Sequence, residues 1–347
     1  HSQEIRFNNL SVNEGLSHYT VTSFCQDKQG FIWIGTADGL NRFDGNRFVV
    51  YKNVPSDTTS ISGNSILSIY EDRDGYLWIG VENGGLNKFD PRSEVFTRFY
   101  SAPGNPNTLS HNDVTGITGD KEGNIWLGTR KGLNVLPAGE KNKPRPAFIS
   151  FYKGDNPDNT ITDNIIFSIF PDSKGNIWLS LSNGFGTDKL ELKYNKGISF
   201  KRTNFVNNPL NSNSPSGRWA LYTFEDSMGR IWFSYWNEGL TKYEPLKKKF
   251  TRYTSDSSFE KSLLNNNVEM VIEDDNKNIW AATYGGGLAK LVEDPVSGKD
   301  YFEHYLFDVK DYLSIPDNRI TTLFKDRSGI IWVGTAGHGL SRFNPKS

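Results

Sequence analysis

The sequence predicts an all-β fold made of seven similar units, and three observations support this prediction. A tryptophan recurs seven times at gaps of 45 to 54 residues. A turn signal containing Asp precedes each tryptophan, and a small residue lies two positions after it. Self-similarity at a period of about 20 to 50 residues is typical of repeat architectures. The repeated tryptophans are Trp33, Trp78, Trp126, Trp178, Trp232, Trp280 and Trp332.

The first repeat divides into four short runs that read as strands. Residues 21–25, 31–36, 40–43 and 48–51 are rich in β-branched and aromatic side chains, and Gly, Asp and Asn lie between them. Such runs, bounded by turn residues, indicate strands joined by hairpin turns. We therefore expect each repeat to form one four-stranded antiparallel sheet.

The turn before the tryptophan strand has the pattern Asp-x-x-Gly in most repeats. An Asp side chain accepts hydrogen bonds from backbone amides two residues on, and Gly adopts a positive φ without steric cost. The sixth repeat departs from this pattern. There we expect residues 275–278 to form the turn, with Asn278 in place of Gly, because Asn tolerates the left-handed conformation.

The small residues after the tryptophans predict a close approach between neighbouring sheets. A four-stranded sheet of this size cannot bury both faces alone, and radial stacking of such sheets gives a seven-bladed β-propeller. The last repeat lacks a fourth strand, so we expect residues 5–10 to pair with residues 340–343 and close the ring. The small residues are Gly35, Gly80, Gly128, Ser180, Ser234, Ala282 and Gly334.

The composition excludes several classes of function. The 347 residues include 39 basic and 40 acidic side chains, so the net charge of −1 offers no electrostatic basis for binding nucleic acid. No apolar run has transmembrane length, and no cofactor or metal motif is found. The single Cys25 excludes a disulfide within the chain. The unbroken repeat predicts one propeller domain over residues 1–347. Because the first residue is not Met, we expect the sequence to be a mature or trimmed segment.

The third repeat carries the clearest motif. Asn-Asp-Val at 112–114 is followed by Asp-Lys-Glu-Gly-Asn-Ile-Trp-Leu-Gly-Thr-Arg-Lys-Gly-Leu at 120–133. This pattern resembles the two-component-regulator propeller repeat. Copies one, two, three and seven match it well, whereas copies four to six replace the Ile-Gly-Thr core.

The resemblance implies a non-catalytic module, similar to the first periplasmic propeller of a hybrid two-component system sensor histidine kinase. It implies that the parent protein detects oligosaccharides released by polysaccharide breakdown and passes the signal to a kinase. The implied partners are an oligosaccharide, the remaining extracytoplasmic sensor domains and a second copy in a full-length homodimer. No cofactor and no nucleic-acid partner are implied.

One face of a propeller gathers the loops that lead into the innermost strands and those that join the second and third strands, and function commonly lies in such loops. Trp219 and Trp236 lie outside the repeat, and both map to this face in the fifth copy. Aromatic rings stack on sugar rings, while Arg, Asn and Glu bond hydroxyl groups. Packing beneath a loop, or a protein interface, would also explain the two tryptophans. The predicted ligand-binding residues are Arg218, Trp219, Trp236, Asn237, Glu238, Tyr284, Arg319, Arg130 and His338.

An enzyme is the alternative, because propellers also host lyases and hydrolases with sites in the central funnel. The candidate catalytic residues in that case are His18, His111, Asp113 and Glu238. A metal in the funnel, or a His within hydrogen-bond reach of a carboxylate there, would favour this alternative.

Overall fold

In the computed structural model, which describes residues 5–195, 197–294, 296 and 298–346, the chain forms seven four-stranded antiparallel sheets, here called blades. The first strand of each blade contacts the first strands of both neighbouring blades, so these strands form a closed inner ring. The predicted seven-bladed propeller is therefore confirmed. From the innermost strand outward, the blades are β2–β5 (Val21–Gln26, Ile32–Thr36, Gly39–Phe43, Phe48–Tyr51), β6–β9 (Ile66–Glu71, Leu77–Val81, Gly85–Asp90, Val95–Phe99), β10–β13 (Val114–Gly119, Ile125–Thr129, Gly132–Leu136, Ile149–Phe151), β14–β17 (Ile166–Pro171, Ile177–Leu181, Thr187–Lys193, Ser199–Phe205), β18–β21 (Ala220–Glu225, Ile231–Tyr235, Leu240–Glu244, Lys249–Tyr253), β22–β25 (Val268–Glu273, Ile279–Thr283, Gly287–Val292, Tyr301–Tyr305), and β26–β28 with β1 (Ile320–Lys325, Ile331–Thr335, Leu340–Phe343, Asn8–Leu10).

The N-terminal strand closes the ring, as predicted. β1 pairs antiparallel with β28, and Leu10 lies opposite Leu340. The strand covers Asn8–Leu10 and is shorter than the predicted 5–10. Phe7 lies outside the strand. Its N–H donates to the carbonyl of Leu313 at 2.9 Å, in the loop before β26, and not to β28.

Helices contribute little to this fold. The described residues contain two short 3₁₀ helices, Val12–Glu14 and Ala138–Glu140. Within the described part of the chain, no helix has the length and apolar character needed to cross a bilayer.

The repeated tryptophans lie in the core between blades, and each is bonded to the Asp of its own turn. The Nε1–H of every repeat tryptophan donates to one carboxylate oxygen of that Asp at 2.7–3.0 Å. In the second blade, the other oxygen of Asp72 accepts the amides of Asp74 and Tyr76. One Asp therefore both closes the hairpin turn and satisfies the only polar group of a fully buried indole.

The turn of the sixth blade contradicts one prediction. Asp274, and not Asp275, accepts the indole N–H of Trp280 at 2.9 Å. The residue with a positive φ is consequently Lys277, at 67°, and not Asn278. In every blade the Asp that accepts the indole N–H lies six residues before the tryptophan, because only from that position does its carboxylate reach the indole. In blade 6 this residue is Asp274.

The small residues after the tryptophans do mark close approaches. A Cβ on Gly80 would lie 2.1 Å from the carbonyl oxygen of Val114 in the next blade. A Cβ on Gly35 would lie 2.7 Å from Cγ2 of Ile66, again in the next blade. The second strand therefore packs directly against the innermost strand of its neighbour.

Candidate functional site

The loops that lead into the innermost strands, here called inner loops, have a common construction. In five blades the residue two positions before the innermost strand is Asn, and its Oδ1 accepts a backbone N–H just beyond the outer strand of the preceding blade, at 2.7–2.8 Å. In all seven blades the carbonyl at this position accepts the N–H of a Gly in the preceding blade, at 2.7–3.0 Å. The Asn side chain thus clamps adjacent blades together. These residues are Asn64, Asn112, Asn164, Asn266 and Asn318.

Blade 5 lacks this asparagine and carries Arg218 in its place. The Arg218 side chain is exposed, and its guanidinium has no hydrogen bond or ion pair with any residue that the structure describes. Asn207 closes the loop instead, because its N–H donates to the Gly217 carbonyl at 3.2 Å and its Nδ2 donates to the Pro215 carbonyl at 2.8 Å. The bonds that close this loop therefore do not involve the Arg218 side chain.

Glu238, from the loop between the second and third strands of blade 5, fixes the backbone of the inner loop. Its Oε2 accepts the N–H of Arg218 at 2.6 Å and the N–H of Trp219 at 3.0 Å. In blade 3 the corresponding amide is bonded by the side chain of His111, three positions before the strand. Blade 5 has Gly217 at that position, which offers no side chain. The carboxylate of Glu238, from the neighbouring loop, accepts the N–H of Trp219 instead.

The two additional tryptophans are neighbours through their backbones, and both side chains are partly exposed. Trp219 is 47% exposed and Trp236 is 43% exposed, and the N–H of Trp236 donates to the carbonyl of Trp219 at 3.0 Å. The ring of Tyr284 in blade 6 lies 6.4 Å from that of Trp236, at an interplanar angle of 45°. Asn237 has a φ of 59°, and its N–H donates to Oδ1 of Asn267 at 2.6 Å, which anchors the tip of the loop to blade 6.

The indole N–H groups distinguish these two tryptophans from the other seven. Each repeat indole donates to an Asp, as described above. The Nε1–H groups of Trp219 and Trp236 have no hydrogen-bond partner among the described residues. The two exposed rings therefore offer both an apolar face and a free donor.

Blade 7 continues this surface with a cluster of charged side chains. Tyr284 forms a backbone bridge with Arg319, which connects blade 6 to blade 7. Arg319 makes a two-point contact with the buried Asp317, with Nη2 to Oδ2 at 2.8 Å and Nε to Oδ1 at 3.2 Å. Nδ1 of His338 lies 3.0 Å from the same Oδ2. Burial raises the pKa of Asp317, but the hydrogen bonds from Arg319 and His338 outweigh burial and hold the pKa below its ordinary value.

The predicted site residues thus fall into two groups. Eight of them lie on the connected loops of blades 5, 6 and 7, and the contacts given above join these loops. Arg130 lies on blade 3, where its Nε contacts Oδ2 of Asp113 at 3.2 Å. No contact found among the described residues joins Arg130 to the surface formed by blades 5 to 7.

The residues proposed for catalysis have structural partners. Nδ1 of His18 accepts the N–H of Thr20, and Nδ1 of His111 accepts the N–H of Asp113. Glu238 accepts two backbone amides, as described above. Burial raises the pKa of Cys25 to about 12, so its thiol is not activated. Within the described residues, no group of three or more His, Cys, Asp or Glu side chains could hold a metal ion.

Sequence reasoning missed three residues that shape this surface. Asp317 positions both Arg319 and His338, Asn207 replaces the missing clamp, and Gly217 makes room for the ring of Tyr235. A Cβ on Gly217 would lie 2.4 Å from Cγ of that ring. Aligning the seven inner loops position by position would have found the Asn-to-Arg departure at 218, whereas the compensation by Asn207 depends on three-dimensional contacts.

Together, the closed ring and its loop surface define a seven-bladed propeller with an aromatic and charged face formed by blades 5 to 7. Five segments of the chain match the family model of the two component regulator propeller, at residues 15–38, 60–83, 108–131, 160–183 and 314–337. These five segments thus match two-component regulator propeller repeats, which confirms the resemblance seen in the sequence. The matched segments lie in blades 1 to 4 and 7, and the inner loops of blades 5 and 6 fall outside them.

Solved and curated proteins extend this comparison. The extracellular domain of a putative hybrid two-component system from B. thetaiotaomicron superposes with a TM-score of 0.77 at 25% identity, over 98% of this chain and 42% of that domain. A histidine kinase P4 from Formosa agariphila is 50% identical over 56 residues, which are 16% of this chain and 4% of the kinase. Virginiamycin B lyase from Staphylococcus aureus has a TM-score of 0.66 at 11% identity over 98% of this chain and 99% of the lyase, a likeness of fold alone.

The two relatives from two-component signalling are longer than the present chain. The chain spans less than half of the extracellular domain that it resembles, and the matched segment is a small part of the histidine kinase. The likeness over the whole chain is therefore to part of the extracellular domain of a hybrid two-component system.

Proposed function

We propose that this propeller, acting as one domain over residues 1–347, is a ligand-sensing module of a two-component signalling protein. Its repeat type and its likeness to the extracellular domain of a hybrid two-component system support this role. In this proposal the domain lies in the periplasm and packs against further sensor domains of a homodimeric parent protein with histidine kinase activity. The ligand changes the signal by binding one arrangement of these domains more tightly than another.

The proposed ligand is an oligosaccharide, and the proposed site is the surface formed by Trp219, Trp236 and Tyr284. The observation that carries this proposal is the pair of half-exposed tryptophans in blade 5, whose indole N–H groups lack partners among the described residues. Half-exposed aromatic rings stack on the apolar faces of sugars. Arg218, Asn237 and Arg319 supply polar groups around the rings.

Isothermal titration calorimetry tests this proposal. The intact chain is titrated with a panel of plant, algal and host-glycan oligosaccharides, beside Trp219→Ala and Trp236→Ala. We expect at least one oligosaccharide to bind and each substitution to weaken binding about tenfold, because an aromatic ring that a ligand covers contributes about 1–2 kcal/mol to binding. Tyr19→Ala is the matched control, since Tyr19 is 46% exposed on the inner loop of blade 1.

Folding is checked separately by thermal unfolding of each variant. The two tryptophans are exposed, so we expect melting temperatures within a few degrees of the unsubstituted chain. Binding that survives both tryptophan substitutions would place the ligand elsewhere. If a folded chain bound no oligosaccharide in the panel, the proposed function would be contradicted.

A lyase or hydrolase is the second candidate, and the contact between His338 and Asp317 favours it. This pair meets the criterion set above, a His within hydrogen-bond reach of a carboxylate. Asp317 is shared with Arg319, however, so the same contact also serves to position the guanidinium. Mass spectrometry of the titrated mixtures separates the two: cleaved products that disappear with His338→Ala would establish the enzyme, whereas intact oligosaccharide supports the sensor.

A further inference from the structure

From the unpaired guanidinium of Arg218 beside the Trp219 indole, we infer that the blade 5 surface selects saccharides that carry an anionic group, either a carboxylate or a sulfate ester. This inference rests on the proposed function and specifies its ligand class. Arg218 forms the charge-assisted contact with the anion, and the indole rings of Trp219 and Trp236 support the sugar.

The first argument is that the Arg218 side chain does not make the contact between blades that an Asn makes at this position in five other blades. Five blades use an Asn there to clamp the preceding blade, and blade 5 makes the closing bonds through Asn207 instead. The backbone of Arg218 keeps its place in the repeat, because its carbonyl still accepts the N–H of Gly186 at 2.7 Å. The side chain alone differs in function, and it is the part exposed to solvent.

The second argument concerns the nearby acids, which are already engaged. Oε2 of Glu238 accepts two backbone amides, and Glu238 is partly buried. Asp163 in the adjacent inner loop is buried, and it accepts a hydrogen bond from Nδ2 of Asn183 at 3.1 Å. Arg218 therefore has no carboxylate partner among the described residues, and an anionic ligand would supply the missing one.

The third argument is that the approach to these donors is open. The loop of blade 4 that faces them contains Gly184, and a Cβ there would lie 3.8 Å from Nε1 of Trp219 and 3.9 Å from Cβ of Arg218. The absence of a side chain at Gly184 leaves space beside the indole N–H and the base of the Arg218 side chain. An acceptor group between them can receive hydrogen bonds from both.

Arg218→Asn is the decisive variant because it installs the residue that five other blades already carry at this position. Its matched control is Tyr19→Asn, which makes the same change at the corresponding position of blade 1. Calorimetry compares tetragalacturonate with its methyl ester, and a κ-carrageenan tetrasaccharide with its desulfated form. Within each pair the sugar is the same and only the charge is removed. Comparison between the pairs distinguishes recognition of a carboxylate from recognition of a sulfate ester.

We expect one charged member to bind at least tenfold more tightly than its neutral counterpart, and Arg218→Asn to abolish that preference while Tyr19→Asn leaves it unchanged. Equal binding of charged and neutral forms, lost with Trp219→Ala, would overturn this inference but leave the proposed function standing. An anion preference that survives Arg218→Asn would also overturn it. Absence of binding by all four saccharides and by the wider panel would contradict both.

Discussion

At the scale of single residues, the repeat motif is explained by the hydrogen bond between each turn Asp and its tryptophan. The sequence predicted the turn from Asp and Gly, but it did not reveal that the Asp also accepts the indole N–H, because that bond depends on where the two side chains lie in the folded hairpin. In the sixth blade this omission led to the choice of Asp275 in place of Asp274. A buried indole without its acceptor costs about 1–3 kcal/mol, which explains why the Asp keeps a constant distance from the tryptophan.

Asp188 in β16 is a second residue whose role depends on its position in the repeat. Three other blades carry Asn at the corresponding place in the third strand, namely Asn41, Asn87 and Asn134. Asp188 is fully buried and accepts hydrogen bonds from the N–H and O–H of Thr162 at 2.7 and 2.6 Å. Burial outweighs these bonds and raises the pKa of Asp188 above its ordinary value.

Asp188→Asn is therefore expected to stabilise the protein at neutral pH. When folding raises the pKa of an acid, the acid contributes its full stability to the folded state only at pH values below the unfolded pKa. This contribution is lost as the pH rises through the folded pKa. The variant should gain on the order of 1 kcal/mol in the free energy of unfolding at pH 7 and nearly nothing near pH 4. Urea unfolding at several pH values measures this difference.

The matched control for this prediction is Asn134→Asp, which places the same acid in blade 3. It should lose stability as the pH rises from 4 to 7, the opposite of Asp188→Asn. Parallel stability curves for Asp188→Asn and the unsubstituted chain across this range would show that the carboxylate carries no such penalty.

At the scale of elements, each blade serves as an internal standard for the other six. Blade 5 stands out because Arg218 occupies the position where five other blades carry the clamping Asn, and the exposed Trp219 follows it. The sequence predicted that Trp219 and Trp236 share a face, since loop positions follow from the repeat. It could not predict that Asn207 and Glu238 compensate for the missing clamps, because those contacts join residues far from the motif.

The turn of blade 6 offers a test of backbone strain in one element. Six blades have Gly at the position with positive φ, and blade 6 has Lys277 at 67°. The left-handed backbone conformation costs a residue other than Gly about 1–2 kcal/mol. A Gly avoids this cost, but part of the gain is offset because Gly loses more conformational entropy on folding. We expect Lys277→Gly to raise the free energy of unfolding by about 0.5–1 kcal/mol in urea titrations.

Asn278→Gly is the control for this turn. Nδ2 of Asn278 donates to Oδ2 of Asp274 at 2.8 Å, so the substitution removes a bond without relieving strain. It should destabilise the protein. Stabilisation by Asn278→Gly and none by Lys277→Gly would contradict the turn assignment drawn from the structure.

At the scale of the whole molecule, seven blades and the N-terminal closing strand make a closed ring, and its loops carry the candidate site. The ring and its closure could be predicted from tryptophan spacing because a repeat fold depends on local patterns. The surface of blades 5 to 7 could be predicted only in part, since Asp317 and Asn207 act through contacts between loops. Arg130 was included in the prediction because it maps to the same face, but its position on blade 3 separates it from the connected group.

The most direct test of the account is a crystal structure of the chain with an oligosaccharide that binds it. We predict that a sugar ring stacks on Trp219 or Trp236, with an anionic substituent within hydrogen-bond distance of the Arg218 guanidinium. A saccharide bound in the central channel, on the outer strands, or beside Arg130 with the blade 5 surface empty would contradict the central claim.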